Sequence, residues 1–276
     1  MIDRARAAEV ALAAAREAAS LVMRIYAGPF DVEYKVKDDP VTAADREANA
    51  LLCDRLATAF PDVPVVAEES DPADYAGFER AEATWFVDPV DGTREFVART
   101  GEFAVMIGLA QRGHATLSVV LAPAWDRCFL GIVGEGAWEV GAGGHRTPIH
   151  VSSCRTLSDA SLVVSRSRRT EGLTRAVQVV GARTASQHGS SGLKGALVAL
   201  GTHDVYLQPG RAGLLWDACA TDALVCAAGG RCTDVGGRPF DYTATDLVNH
   251  RGLLADNGLL HDAVVERLRS ELESHA

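Results

Sequence analysis

Long apolar runs are missing from this sequence of 276 residues. No run reaches the roughly 20 residues that a membrane-spanning helix needs. The alanine-rich N-terminal stretch is interrupted by Glu9, Arg16 and Glu17, which argues against a signal peptide. The six cysteines include no C-x-x-C pair, which argues against a zinc site and predicts reduced core thiols. The sequence therefore predicts a cytoplasmic protein with no membrane partner.

Basic charge is also in short supply. The chain has 27 lysines and arginines against 37 acidic residues, a formal net charge of -10. This deficit argues against nucleic acid as a partner. A small anionic substrate remains compatible with it, because a bound metal ion reverses the local sign of charge. The 47% hydrophobic and 23% charged residues are typical of a globular protein large enough to bury a sizeable core.

Apolar periodicity and glycine or proline breaks divide the chain near residue 150. The pattern predicts an α+β half over 1–150, followed by an α/β half over 151–276, packed as a single unit over 1–276. The predicted elements are helices over 3–27, 42–60, 191–200, 217–228 and 259–272, and strands over 64–67, 84–88, 103–111, 115–121, 128–133, 137–140, 161–165, 204–207 and 231–235.

Acidic residues close two predicted strands and open one predicted helix: Glu68, Asp88, Asp91 and Asp217. Magnesium prefers oxygen ligands in near-octahedral geometry and leaves positions for water and substrate phosphate. A tight turn at Pro89 can point Asp88 and Asp91 one way and turn the Val90 carbonyl toward the same ion. Four carboxylates gathered without metal would repel one another. The predicted ligands of two or three Mg²⁺ ions are therefore Glu68, Asp88, the Val90 carbonyl, Asp91 and Asp217.

Each acid taken singly also has a structural interpretation. A lone D-P-x-D-G is often just a turn, and Glu68-Glu69 is more often a solvated loop. Asp217 in isolation reads as a helix N-cap, and Asp45 as the far half of a capping box with Thr42. Their conjunction at strand ends and at a helix start, where α/β folds commonly bind ligands, favours the metal site.

A site of this kind can hydrolyse a phosphate ester. One ion would activate the attacking water, another would neutralise charge on the leaving oxygen, and the pair would clamp an in-line displacement. Thr93 is the candidate to orient the water, with Asp45 behind it. Glu68 is the candidate to assist as base.

Three segments together resemble the inositol monophosphatase superfamily of metal-dependent, lithium-sensitive phosphatases. They are E-E-S at 68–70, W-x-x-D-P-x-D-G-T at 85–93, and W-D at 216–217 followed by a small-residue helix that ends in G-G at 229–230. The resemblance implies the same metal ligands, a water-orienting Thr93 with Asp45 as its acidic partner, and phosphate contacts from the N–H groups of Gly92 and Thr93. It also implies a layered α-β-α-β-α sugar-phosphatase fold.

Within the superfamily, the chain is most similar to the bacterial 3'(2'),5'-bisphosphate nucleotidases. D-G-T-R-E-F at 91–96, G-E-F at 101–103 and P-V-T-A-A-D at 40–45 carry this likeness. The implied reaction converts adenosine 3',5'-bisphosphate to AMP and phosphate. Inositol phosphate, fructose 1,6-bisphosphate and histidinol phosphate stay open as substrates, because all share the reacting group. A non-catalytic phosphate sensor should have lost a ligand or Thr93, and none is lost here.

A bisphosphate nucleotide carries a second phosphate that needs its own donors. Gly189, Ser190 and Ser191 precede a predicted helix, whose N-terminus favours anions, and Lys194 lies one turn in. The resemblance places a lysine at this point in the nucleotidases. An ordinary serine N-cap with a surface lysine is the competing interpretation. The basic loop over 166–169 is either a second phosphate contact or a solvated turn. The oligomeric state stays open, with a homodimer as one possibility.

Overall fold

The computed structural model describes residues 2–36 and 39–274. Its first helix, α1 (Arg4–Ala27), buries a face made largely of alanine. Asp3 caps this helix by accepting hydrogen bonds from the N–H groups of Ala5 and Arg6 at 3.0 and 3.3 Å. Small side chains allow α1 to pack closely against the second helix and the large sheet. Within the described ranges, no helix is both long and apolar enough to cross a membrane.

The other described helices and strands follow the predicted order. The helices are α2 (Ala43–Ala59), α3 (Thr93–Val97), α4 (Glu171–Val180), α5 (Ser191–Ala199), α6 (Leu215–Ala227) and α7 (His261–Ser274). The strands are β1 (Glu33–Val36), β2 (Asp39–Val41), β3 (Val65–Ala67), β4 (Ala83–Asp91), β5 (Ala104–Gln111), β6 (His114–Ala122), β7 (Arg127–Ile132), β8 (Gly136–Val140), β9 (Arg146–Ile149), β10 (Ser161–Ser165), β11 (Thr184–His188), β12 (Val205–Gln208), β13 (Arg231–Thr233) and β14 (Leu253–Asp256).

Two large sheets contain all of these strands except β1 and β2, which form a separate antiparallel pair. The first has seven strands in the order β3-β4-β5-β6-β7-β8-β9, antiparallel except for the β3–β4 pair. The second has five strands in the order β11-β10-β12-β14-β13, and β11, β10 and β12 run parallel. The carboxyl ends of these three strands therefore lie at the same end of the sheet. Ligand sites in α/β folds are commonly found there.

Five layers result from the packing. Helices α1 and α2 cover one face of the seven-stranded sheet, and α5 and α6 lie between the two sheets. Helices α4 and α7 cover the outer face of the five-stranded sheet. The predicted α-β-α-β-α layering is confirmed. The proposed division near residue 150 stays a prediction.

The central helix α6 lies unusually close to the seven-stranded sheet. A Cβ atom at Gly108 of β5 would lie 2.6 Å from the Cys219 Sγ atom, and one at Gly131 of β7 would lie 2.9 Å from the Leu224 Cα atom. Only glycine permits this approach at both positions. The contact places the start of α6 beside the end of β4.

Several elements lie where the sequence predicts none, namely β1, β2, α3, α4, β9, β11 and β14. Strand β11 is half-exposed at the edge of its sheet and has no apolar run, so periodicity gives no signal for it. Helix α4 does carry a signal, because Leu173, Ala176 and Val180 recur at helical spacing after the N-cap Thr170.

Candidate metal centre and active site

Asp88 and Asp91 reach the same side of the sheet through a bulge. Side chains of a regular strand alternate between faces, so residues three apart should point opposite ways. In the β4–β5 ladder, however, Asp88 pairs with Met106 and Asp91 with Ala104, so β4 has one extra residue between the pairs. The Val90 N–H group then donates to Asp88 Oδ1 at 3.0 Å. The turn predicted at Pro89 is thus a bulge inside a strand.

Asp217 lies in the first turn of α6 and faces the two β4 carboxylates. Its Oδ2 atom accepts a hydrogen bond from the N–H group of Leu214, the N-cap residue, at 2.6 Å. The interpretation of Asp217 as the N-cap itself is therefore wrong, because Asp217 is the third residue of the helix. One carboxylate oxygen from each of Asp88, Asp91 and Asp217 lies within 4.8 Å of the other two. The hydrogen bond from Leu214 is compatible with metal binding, because a carboxylate has two oxygens and several acceptor sites.

Glu68 lies at the end of β3 and lines the same cleft. Its Oε1 atom is 3.2 Å from the Lys35 Nζ atom, and Lys35 also pairs with Glu69. Lys35 belongs to the β1–β2 hairpin and has no role in the sequence-based prediction. Glu68 therefore lines the cleft with an ammonium group as its neighbour, while the compact cluster among the described residues consists of the three aspartates, and the role of Glu68 as a ligand stays a prediction.

Burial and mutual repulsion raise the pKa values of these acids. Burial raises the pKa of Glu68 to about 8 despite the opposing effect of Lys35, and that of Asp217 to about 6 against the attraction of Arg168. Burial, followed by the charges of Glu68 and Asp91, raises the pKa of Asp88 well above its usual range. The protein alone therefore cannot keep the cluster fully ionised. An all-carboxylate set with this conflict fits a hard divalent cation.

Higher pH is expected to increase the stabilisation of the protein by Mg²⁺. The folded-state pKa values of Glu68 and Asp217, about 8 and about 6, exceed those of free carboxylates. The metal-free protein therefore holds protons that the unfolded chain has released, and it loses stability as the pH rises from about 4 to about 8. A cation must displace fewer protons at the upper end of this range. Thermal unfolding should show a larger Mg²⁺-induced rise in Tm near pH 8 than near pH 5.5, and equal rises would contradict the cluster as the binding site.

Thr93 and Asp45 are joined directly. Thr93 begins the short helix α3, and its Oγ1 atom lies 2.9 Å from Asp45 Oδ1 and 3.1 Å from the Val90 carbonyl oxygen. The other carboxylate oxygen of Asp45 accepts hydrogen bonds from the Thr42 N–H and hydroxyl groups at 2.8 and 2.7 Å. The capping box is therefore present, and the remaining oxygen of Asp45 faces Thr93.

Gly92 connects these residues to Asp91 in a left-handed conformation, with φ of 99°. A Cβ atom there would lie 2.8 Å from the Glu102 carbonyl oxygen. Glycine is therefore required twice, for its backbone angle and for space. This geometry turns the chain so that Thr93 points back toward the Val90 carbonyl.

The donors of the segment 189–191 are largely engaged within the protein. The Gly189 N–H group donates to Glu102 Oε2 at 2.9 Å, and the Ser190 hydroxyl donates to Asp91 Oδ2 at 2.5 Å. The Ser191 Oγ atom lies 3.3 Å from the Tyr206 hydroxyl oxygen. Ser190 is the N-cap of α5, as the structural interpretation expects. The structure thus brings this segment to the metal cluster itself.

Lys194 is buried, so its interpretation as a surface lysine is wrong. Its Nζ atom donates to the Ser190 carbonyl oxygen and lies 4.9 Å from the centre of the Tyr206 ring. Burial lowers its pKa to about 8, against the attraction of Asp91. Lys194 lines the same cleft as the carboxylates.

Arg168 lies on the loop after β10 and lines the same cleft. Burial works against its charged form, but the carboxylates, Asp217 first, raise its pKa. Together with Lys194, Arg168 therefore gives the cleft two cationic groups beside its carboxylates. Ser167 and Tyr206 also line the cleft, and neither has a role in the sequence-based prediction.

A five-layer α-β-α-β-α fold with a buried carboxylate cluster at a strand end and a helix start defines the class of metal-dependent sugar phosphatases. The model of the inositol monophosphatase family matches residues 3–273, and the chain belongs to this family. The resemblance found in the sequence is therefore confirmed, and with it the assignment of the protein as a phosphatase.

Two relatives show how the chain relates to named proteins. It is 39% identical over 231 residues to the 3'(2'),5'-bisphosphate nucleotidase CysQ of Escherichia coli strain K12, covering 83% of this chain and 91% of the relative. It is 31% identical over 271 residues to the inositol monophosphatase of Mesembryanthemum crystallinum, covering 94% of each. The match to the nucleotidase therefore has the higher identity, and the match to the inositol monophosphatase covers more of this chain.

Solved structures agree on the fold. The extragenic suppressor protein suhB of Bartonella henselae superposes with a TM-score of 0.81 at 25% identity, over 95% of this chain and 97% of that one. The Thermotoga maritima IMPase superposes with a TM-score of 0.80 at 27% identity, over 95% and 96% of the two chains. The layered architecture is thus that of the family.

Proposed function

We propose that the protein is a Mg²⁺-dependent phosphomonoesterase that hydrolyses the 3'-phosphate of adenosine 3',5'-bisphosphate, yielding AMP and phosphate. The observation that carries this proposal is that carboxylates and cations line one cleft. Three carboxylates converge within 4.8 Å, and Lys194 and Arg168 line the same cleft. The carboxylates suit a metal-held phosphoryl group, and the two cations suit a second anion.

The metal site in this proposal uses the predicted oxygen ligands. Two or three Mg²⁺ ions would be held by Glu68, Asp88, the Val90 carbonyl, Asp91 and Asp217. When bound, they would supply Lewis-acid activation of water and neutralise charge on the phosphoryl and leaving oxygens. Glu68 would have to exchange Lys35 for a cation, and its position at the cleft permits this.

Thr93 would orient the attacking water. Asp45 Oδ1 takes the hydroxyl hydrogen of Thr93, which leaves the Thr93 oxygen free to accept a hydrogen bond from water. The water oxygen would form a bond to phosphorus while the bond from phosphorus to the ester oxygen of the substrate breaks, and the proton given up by the water would return through solvent to that leaving oxygen. Glu68 would assist as base. The N–H groups of Gly92 and Thr93 would donate to the phosphate oxygens.

Lys194 and Arg168 would hold the second phosphate of the substrate. A guanidinium and an ammonium group make charge-assisted hydrogen bonds to phosphate. Because the donors of Gly189 and Ser190 already serve Glu102 and Asp91, we propose that these two residues shape the site. Ser191 and Lys194 stay the candidates for direct contact within this segment.

The alternative function is that of an inositol monophosphatase. The relative of that name from Mesembryanthemum crystallinum covers 94% of this chain, more than the nucleotidases do. The metal cluster itself does not separate the two, because it acts on the shared phosphoryl group. The two cations of the cleft, Lys194 and Arg168, favour the bisphosphate, since an inositol monophosphate has no second anion for them.

A substrate panel tests the proposal. Phosphate release in Mg²⁺ should be measured for adenosine 3',5'-bisphosphate, inositol 1-phosphate, fructose 1,6-bisphosphate and histidinol phosphate, with a chelator as the metal-free control. We expect kcat/KM for the nucleotide to exceed the others by more than about tenfold, equivalent to about 1.4 kcal/mol. A smaller preference contradicts the substrate assignment, and no release from any substrate contradicts the enzyme assignment.

A further inference from the structure

Glu102 is a buried carboxylate that the proposed chemistry does not use. It lies just before β5, in the segment G-E-F at 101–103. Its two oxygens accept hydrogen bonds from Nε and Nη2 of Arg166, both at 2.7 Å, and Oε2 also accepts from the Gly189 N–H group at 2.9 Å. Burial opposes ionisation, but the bonds from Arg166 and Gly189 prevail and lower the pKa of Glu102. The carboxylate therefore remains an acceptor fixed in two directions.

The residue after Gly189 leads directly to the metal cluster. Ser190 has a positive φ of 59°, a conformation that residues other than glycine rarely adopt. In this conformation its hydroxyl donates to Asp91 Oδ2 at 2.5 Å. The Gly192 N–H group donates to the same oxygen at 2.8 Å. Asp91 Oδ2 is thus held by the start of α5, which directs the other carboxylate oxygen.

The backbone around Glu102 leaves little space for rearrangement. A Cβ atom at Gly189 would lie 2.7 Å from the Glu102 carbonyl oxygen and 2.4 Å from Glu95 Cγ. A Cβ atom at Gly92 would lie 2.8 Å from the same carbonyl oxygen. The Glu102 backbone is therefore wedged between the two glycines that flank Asp91 and Ser190. Because Gly189 and Ser190 are consecutive residues, a shift of Gly189 also moves Ser190.

We propose that Glu102 is a positioning residue for Asp91. It anchors Gly189, which holds Ser190 in its positive-φ conformation, and Ser190 fixes the orientation of the Asp91 carboxylate toward the cation. Arg166 serves as the bidentate partner that orients Glu102. This inference rests on the proposed role of Asp91 as a metal ligand. Partners that orient a ligand typically change metal affinity by 10–100-fold when they are mutated.

Glu102→Gln tests the inference because a neutral amide offers one acceptor oxygen in place of two. The dissociation constant of Mg²⁺ should be measured by titration calorimetry on the metal-free protein, independently of any substrate. We expect it to rise about tenfold or more. Glu139→Gln is the matched control, because Glu139 pairs bidentately with Arg127 at 2.6 and 2.9 Å and does not line the cleft. Its Mg²⁺ affinity should stay within about twofold of that of the parent protein.

A double-mutant cycle with Ser190→Ala shows whether the effect travels through Ser190. If Glu102 acts through it, the two substitutions together should weaken Mg²⁺ binding by much less than the product of their separate effects. Additive effects, or an unchanged affinity in Glu102→Gln, overturn the inference. Urea titrations show whether Glu102→Gln is folded. If it is not, an unchanged Mg²⁺ affinity in Ser190→Ala alone overturns the inference. Absence of Mg²⁺ binding by the parent protein instead overturns the proposed metal site.

Discussion

Asp88→Asn should remove catalysis and at the same time stabilise the metal-free protein. The substitution deletes a predicted metal ligand, and metal assistance is worth several kcal/mol, so kcat/KM should fall about a thousandfold or more. The metal-free protein should unfold at a higher temperature, because burial and repulsion raise the pKa of Asp88 and an amide removes that conflict. Phosphate release in Mg²⁺ and thermal unfolding in a chelator measure the two effects.

Asp256→Asn is the contrasting control. Asp256 is fully buried and lies 2.7 Å from both the His261 Nδ1 atom and the Gly258 nitrogen, outside the cleft. Its substitution should lower the unfolding temperature, because it weakens a buried pair. The folded fraction should keep kcat/KM within about threefold of the parent value. Full activity in Asp88→Asn, or a loss of stability like that of the control, would be evidence against a metal at Asp88.

Lys194→Met should weaken the use of a bisphosphate selectively. Methionine keeps the length of the side chain but lacks the charge that would bind the second phosphate. A hydrogen bond to a charged group is worth about 1.5–3 kcal/mol, so kcat/KM for adenosine 3',5'-bisphosphate should fall about 10–100-fold. Adenosine 3'-monophosphate has no second phosphate, and its kcat/KM should change by less than about threefold.

The comparison of kcat/KM for the two substrates distinguishes two roles of Lys194, binding of the second phosphate and support of the 189–191 segment. Lys194 also donates to the Ser190 carbonyl, so a structural role is the natural competitor. Equal losses on both substrates would show that Lys194 acts by holding the 189–191 segment, and the assignment of the second phosphate would fail. The fold is expected to survive, because burial already disfavours the charged form of Lys194 and methionine keeps the aliphatic volume of the side chain.

Much of the fold could be predicted from local patterns. Helix α1 has its alanine face and its Asp3 cap, and α2 has the capping box of Thr42 and Asp45. The meander of β5 to β8 shows apolar strands between glycine breaks. By contrast, β11 is polar and half-exposed, so its sequence gives no strand signal. It forms a strand because it pairs in parallel with β10. Edge strands of this kind are recognised only through their partner.

The residues of the candidate site also divide into those that a local motif signals and those that only tertiary contacts reveal. The motifs placed Asp88, Asp91 and Asp217 in one cluster, and the structure has their oxygens together. Lys35 carried no signal, because its hairpin reaches Glu68 only through tertiary packing. Glu102 stood in a recognised segment, but its contacts with Arg166 and Gly189 span 64 and 87 residues. Sequence spacing contains no information on such contacts.

The sequence by itself determined the class of this protein. Acidic residues at strand ends, a Gly-Thr turn and a W-D helix start are local motifs, and together they indicate the phosphatase family to which the chain belongs. The tertiary structure alone decided which charged groups lie beside the acids. It also decided which hydrogen-bond donors of the cleft remain available to a substrate. The reason is physical: the β4 bulge and the close approach of α6 to its sheet set distances between segments far apart in the chain, and those distances govern both pKa and hydrogen bonding.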